Sequence, residues 1–109
     1  MYSRLKVLPD NAQPLQRAQL LAALFVGTEI IHLYRFGRRL GLGANLAAAF
    51  VALAKGNSAT ATERLALIDD HLASRLSAEP DAMHARASIL AISEALIQHA
   101  TYFDRGAQR

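Results

Sequence analysis

Between Pro14 and Gly41 the chain carries a long run of helix-forming residues whose apolar members do not keep to one side. Within "LLAALFVGTEIIHLY", Leu20 to Tyr34, and the turn after it, a helical projection puts Leu20, Leu24 and Ile31 on one side and Phe25 with Phe36 on another. Ile30 falls on a third side and Leu33 on a fourth. A helix that is apolar all round must be enclosed, either by its own chain or by something outside it. The remaining residues therefore have to be read for whether they can enclose it.

They offer one domain's worth of material. A chain of 109 residues buries a single core and not two. Hydrophobic residues make up 52% of it but aromatics only 6%, so alanine and leucine supply most of the apolar surface, and these favour helix. The expected fold class is all-α. The absence of cysteine excludes disulfides, thiolate metal sites and a cysteine nucleophile, and fits a reducing compartment.

Start and stop signals divide the chain into four helices, expected over about 14–40, 44–55, 59–76 and 80–103. Pro14 suits the first helical position, and Gly41 and Gly43 break the first helix. The second is short and Ala-rich, with Leu46, Phe50 and Leu53 at spacings of four and three, and ends at Gly56 and Asn57. The third opens on Ser58 or Thr60 as cap, the latter with Glu63 at capping-box distance, and carries the stripe Leu65, Ile68, Leu72 and Leu76. The fourth starts at Pro80 and Asp81. It is expected to bury Ile89, Leu90, Leu96, Ile97, Ala100 and Phe103, with Glu94, Gln98, Thr101 and Arg105 opposite.

Short connections favour antiparallel neighbours, so the architecture expected is an up-and-down bundle of about four helices. Three further helices, one of them short, are too few to enclose the first, which points to a partner outside the chain. The residues expected at that interface, or against a membrane surface, are Phe25, Ile30, Leu33, Tyr34, Arg35, Arg38 and Arg39.

Charge is uneven along the sequence. Residues 1–55 hold seven Lys or Arg against Asp10 and Glu29, and residues 56–109 hold five basic against seven acidic residues. The arginines are spread along a helix and no nucleic-acid-binding signature is present, so nucleic acid is not an expected partner. Arg35, Arg38 and Arg39 lie in the last turns of the first helix, where cations offset its negative end by about 0.3 to 1 kcal/mol each. The alternative for them is an acidic lipid surface or an anionic substrate. "MYSRLKVLPDNAQP" lacks the apolar core and cleavage site of a signal peptide. The 15-residue run from Leu20 to Tyr34, interrupted by Glu29 and His32, is short and polar for a membrane span.

Glu29 and His32 form a Glu-x-x-His pair, the unit that supplies two ligands from one helical face in di-metal carboxylate bundles. Such a centre needs a second pair and two more inward carboxylates. Asp81 and His84 have the same spacing, but they occupy the first turn of the fourth helix, where the helix dipole explains an acid. His71 and His99 make no His-x-x-x-His pair. Glu29 and His32 are thus expected to make a buried or interfacial polar contact, with metal binding the lesser alternative.

"GLG" at Gly41–Gly43 and "KGNS" at Lys55–Ser58 lack the spacing and the preceding strand of phosphate loops and read as helix stops. Ser88 and Ser93 sit inside a helix and have no nucleophile-elbow context. Neither catalysis nor a cofactor is expected.

Three stretches, "LLAALFVGTEIIHLYRFGRRLGLG", "FVALAKGNSATATERLALIDDHLA" and "ARASILAISEALIQHATYFD", together resemble the C-terminal cytoplasmic region of the fusaric acid resistance family of inner-membrane transporters, the aromatic acid exporters. The resemblance implies a bacterial efflux system whose members have blocks of transmembrane helices followed by helical cytoplasmic segments. It implies a non-catalytic domain that packs against the rest of a transporter, or against its own copies, on the cytoplasmic side of the inner membrane. The transmembrane blocks are missing from this chain, so on that reading it is part of a larger protein, and no transport residue carries over onto it. A free-standing helical adaptor or dimerisation module in the cytoplasm is the rival reading.

Overall fold

The computed structural model describes residues 14–107. Five helices follow one another: α1 (Pro14–Arg39), α2 (Gly43–Ala54), α3 (Ser58–Ala73), α4 (Pro80–Gln98) and α5 (Ala100–Ala107). No strand occurs among the described residues, and the first four helices form the expected up-and-down bundle. α1 packs most extensively on α4, α2 on α3, and α3 on α4, while α1 meets α2 only lightly. The readings made for residues 1–13 and for the Arg105 side chain lie outside the described residues.

The core forms where stripes from the four long helices converge. Leu33, Leu46, Leu65, Leu72, Ile89, Ile92 and Leu96 are its largest fully enclosed side chains. The α3 stripe reads as expected through Leu65, Ile68 and Leu72. Leu76 also packs against the core, but from the turn after α3, which ends at Ala73 and not near residue 76.

Glycines set the tight corners. Gly41 has φ +77° and Gly56 φ +81°, conformations a β-carbon disfavours. Each follows a helix end in a Schellman arrangement. The Leu42 N–H donates to the Gly37 carbonyl at 2.9 Å, and the Asn57 N–H donates to the Ala52 carbonyl at 3.0 Å. The other expected breaker, Gly43, instead begins α2. Arg75 adds to the C-terminus of α1 by donating from Nη1 to the Leu40 carbonyl at 3.2 Å, while its Nε pairs with Glu79 Oε2 at 2.6 Å. Glu79 is extended, as a residue before proline must be, and Pro80 opens α4 without forfeiting a helical hydrogen bond.

Two expectations about helix ends are corrected. Neither Ser58 nor Thr60 caps α3. Asn57 does, its Oδ1 accepting from the Thr60 N–H at 3.0 Å, so the Thr60–Glu63 box is replaced by a cap one turn earlier. The fourth helix also does not run unbroken to Phe103. It stops at Gln98, and His99, at φ −121° and ψ 33°, redirects the chain into α5. This bend lets Phe103 pack against the core and brings Asp104 Oδ1 to accept from the Ser58 N–H at 2.9 Å. Asn57 and Asp104 together satisfy two amides that the start of α3 would otherwise leave unpaired. Asn57→Ala and Asp104→Ala are each expected to cost about 1 kcal/mol, seen as a lowered thermal midpoint by circular dichroism with helicity otherwise unchanged.

One ion pair joins α3 to α4. Arg86 donates to both carboxylate oxygens of Asp69, Nε to Oδ1 at 2.8 Å and Nη2 to Oδ2 at 3.2 Å. The hydrogen bond and charge of Asp69 hold the Arg86 guanidinium above its ordinary range. Because the folded value is raised, the contribution of the charged arginine is complete below that ordinary range and is lost only as pH rises through the folded value. Arg86 therefore stays charged at any physiological pH.

Candidate functional site

α1 has 26 residues and α2 only 12, so α2 reaches along only the C-terminal part of α1. There Tyr34 and Phe50 pack with ring centres 5.6 Å apart. Farther toward its N-terminus α1 is supported mainly by α4. The antiparallel α1–α4 register is fixed near one end by the Phe36–His84 ring stack at 4.9 Å and the Arg39–Asp81 ion pair at 3.5 Å. Near the other end Leu21 and Phe25 share a groove with Ala91, Glu94 and Gln98.

Leu21, Leu24, Phe25 and Ile31 of α1 are exposed, as are Met83, Leu90 and Ile97 of α4. Among the described residues Val51 and Leu67 complete the set of large exposed apolar side chains, one each on α2 and α3. The exposed apolar surface is thus concentrated on the two helices that lie side by side. Seven such residues on two neighbouring helices make this the candidate contact surface.

The residues expected at an interface separate by position. Phe25 is exposed and Ile30 and Tyr34 are half-buried. Leu33 must be removed from the set: at 0% exposure it belongs to the core, facing α2 and α4 on the opposite side of α1 from Leu24 and Ile31. The expected burial of Leu90 and Ile97 is also corrected, since they are 58% and 68% exposed. α4 is apolar around more of its circumference than its neighbours cover. These two residues were the readable signal for the face, because they lie seven apart and in phase with Met83.

Arg35, Arg38 and Arg39 are exposed at the end of α1. Arg39 is tied to Asp81, so an acid at the start of α4 serves both its own helix dipole and the last turn of α1. Among the described residues Arg35, Arg38 and Glu94 take part in no ion pair.

Glu29 and His32 stand 3.9 Å apart, Nδ1 to Oε2, with side chains 20% and 48% exposed. The histidine is half exposed, so of the two contacts expected for the pair, buried or interfacial, the buried one does not hold for His32. No group of three or more His, Cys, Asp or Glu side chains comes together among the described residues, so Glu29 and His32 gain no third ligand from the fold. His71 lies at the surface with Nε2 3.5 Å from Arg75 Nη1, and His99 is half-buried at the bend between α4 and α5.

Over residues 16–39 α1 is long and apolar enough to cross a membrane by length and composition, beyond the 15-residue run read from the sequence. Here it is the longest strut of a packed bundle, with Val26 and Leu33 in the common core. No family model matches the chain, and neither a curated protein nor a solved structure is significantly similar to it.

Proposed function

We propose that the chain is a non-catalytic helical domain that works by docking, with the outer face of α1 and α4 as its contact surface. The observation that carries this reading is the exposure of Leu21, Leu24, Phe25 and Ile31 on α1 and of Met83, Leu90 and Ile97 on α4, the two helices that pack most extensively on each other. Burying such side chains is worth about 1.5 to 3 kcal/mol each, so the face is a standing source of association energy. The resemblance to the fusaric acid resistance family makes the remainder of an efflux transporter for aromatic or other organic acids one class of partner, on the cytoplasmic side of a bacterial inner membrane. Arg35 and Arg38 would then face acidic headgroups. A second copy of the chain is the other class.

A photo-crosslinking amino acid placed at Leu24, on the face, and separately at Leu67, away from it, tests the reading in bacterial cells. Leu24 is expected to give a discrete adduct, with an inner-membrane transporter or with the chain itself, and Leu67 none. No adduct from Leu24, or equal adducts from both positions, would overturn it.

A further inference from the structure

A two-fold rotation sets the α4 row of Met83, Leu90 and Ile97 against its own copy. The register set by Phe36–His84 and Arg39–Asp81 near one end, and by the groove of Leu21 with Glu94 near the other, brings Thr28 level with the Leu90 turn. A two-fold axis lying in the plane of the face at that level runs α1 antiparallel to its copy and α4 antiparallel to its copy. Leu90 then meets Leu90 of the second copy. Met83 and Ile97, seven residues to either side, exchange places and meet each other. On α1 the same rotation brings Leu24 of one copy opposite His32 of the other. Thr28 itself is compact at the crossing, its hydroxyl turned back to donate to the Leu24 carbonyl at 3.0 Å.

Charge follows the same symmetry. Arg35 and Leu21 lie seven residues either side of Thr28, so the rotation carries Arg35 of one copy over Leu21 of the other. Leu21 shares its groove with Glu94. The rotation therefore places a cation beside an acid that has no ion pair among the described residues, and does so twice. A contact in which residue i meets j and j meets i is what a closed two-fold dimer requires.

From this we infer that the chain pairs with a second copy of itself through α1 and α4, centred on Thr28 and Leu90, with reciprocal Arg35–Glu94 ion pairs at the rim. The inference rests on the docking reading above and names its partner. Dimerisation buries exposed apolar surface of α1 and α4 and consumes two charged groups that face solvent in the single chain.

The test uses the full chain. Because it has no cysteine, a single introduced thiol reports one position. Leu90→Cys is expected to give a disulfide-linked dimer rapidly under mild oxidation, and Leu67→Cys, more exposed but on α3, is expected to form no disulfide link. In sedimentation equilibrium the unmodified chain is expected to be dimeric at about 50 μM. Leu90→Glu, which acts twice at the axis, is expected to weaken association about a hundredfold or more, with helicity unchanged. Arg35→Glu and Glu94→Arg are each expected to weaken it about tenfold, and the two together to restore it. A monomer throughout, cross-linking at Leu67→Cys as fast as at Leu90→Cys, or no restoration in the double exchange would overturn the pairing. A monomer whose Leu24 probe still joins a transporter would overturn the pairing and leave the docking reading intact, whereas a dimer held through Leu67 with no adduct at Leu24 would overturn both.

Discussion

Leu33→Ala is expected to lower the stability of the fold by about 3 to 5 kcal/mol, read as a shift in the denaturant midpoint with little change in its slope. Leu33 has no exposed surface, and its neighbours in the core, Val26, Leu46, Ile89 and Ile92 among them, are held by four helices and cannot collapse into the space it would vacate. The cavity cost therefore adds to the lost transfer energy of the side chain. Leu24→Ala removes the same atoms from the same helix. It is expected to change the stability of the isolated chain by less than about 0.5 kcal/mol, because Leu24 is 59% exposed and alanine is the better helix former. If the two substitutions cost the same, the assignment of Leu33 to the inner side of α1 and Leu24 to the outer side is wrong. Total stabilities of domains this size run about 5 to 15 kcal/mol, so the Leu33 variant would sit near the edge of folding.

That contrast marks where periodicity stops being informative. On α3 the apolar residues keep one phase, and Leu65, Ile68 and Leu72 could be placed in the core from their spacing alone. On α1 they keep no phase. Leu24, Ile31 and Leu33 are equivalent by composition, and only the helices packed against α1 decide which of them is inside. The same degeneracy put Leu90 and Ile97 in the expected core. α4 has apolar or small residues around most of its circumference, and alanines at positions 82, 85 and 95 fill the close contacts that larger residues were expected to make. Where a local rule is strict the sequence is legible: Gly41 and Gly56 mark helix ends because a positive φ is nearly reserved for glycine. Where several residues satisfy the rule it is not. Asn57, Ser58 and Thr60 all suit the start of a helix, and the choice of Asn57 depends on Asp104, 46 residues beyond Ser58, supplying the next acceptor. The bend at His99 has no glycine or proline to announce it. It is held instead by what α5 gains on reaching α3. The spacing of Glu29 and His32 was readable at once, but the openness of His32 follows from α4 passing to one side of it, which no local pattern encodes.

Gly37→Val is expected to be as damaging as the loss of Leu33, for the opposite reason. Gly37 is buried where α1 meets α2, and a β-carbon there would run into Cδ1 of Leu46, with Leu46 Cγ at 3.7 Å and Leu42 Cβ at 3.8 Å behind it. Leu46 is itself fully enclosed, so its side chain has no free volume to turn into. Alanine at 37 would gain about 1 kcal/mol of helix propensity, but overpacking a filled core costs about 1 to 3 kcal/mol, so Gly37→Ala is expected to be modestly destabilising. Valine adds two methyl groups on the same side and is expected to cost about 3 kcal/mol or more, as α1 and α2 are forced apart. Gly27, ten residues earlier in the same helix, meets nothing within 4 Å, and Gly27→Ala is expected to stabilise the isolated chain by about 0.5 to 1 kcal/mol. Opposite signs for one substitution at two glycines of one helix can come only from packing, since backbone propensity is common to both. Trimming Leu46 to valine in the Gly37→Ala background is expected to recover part of the loss. If Gly37→Ala instead stabilises the chain, Leu46 has room to move and the contact between α1 and α2 is looser than the spacing at Gly37 implies.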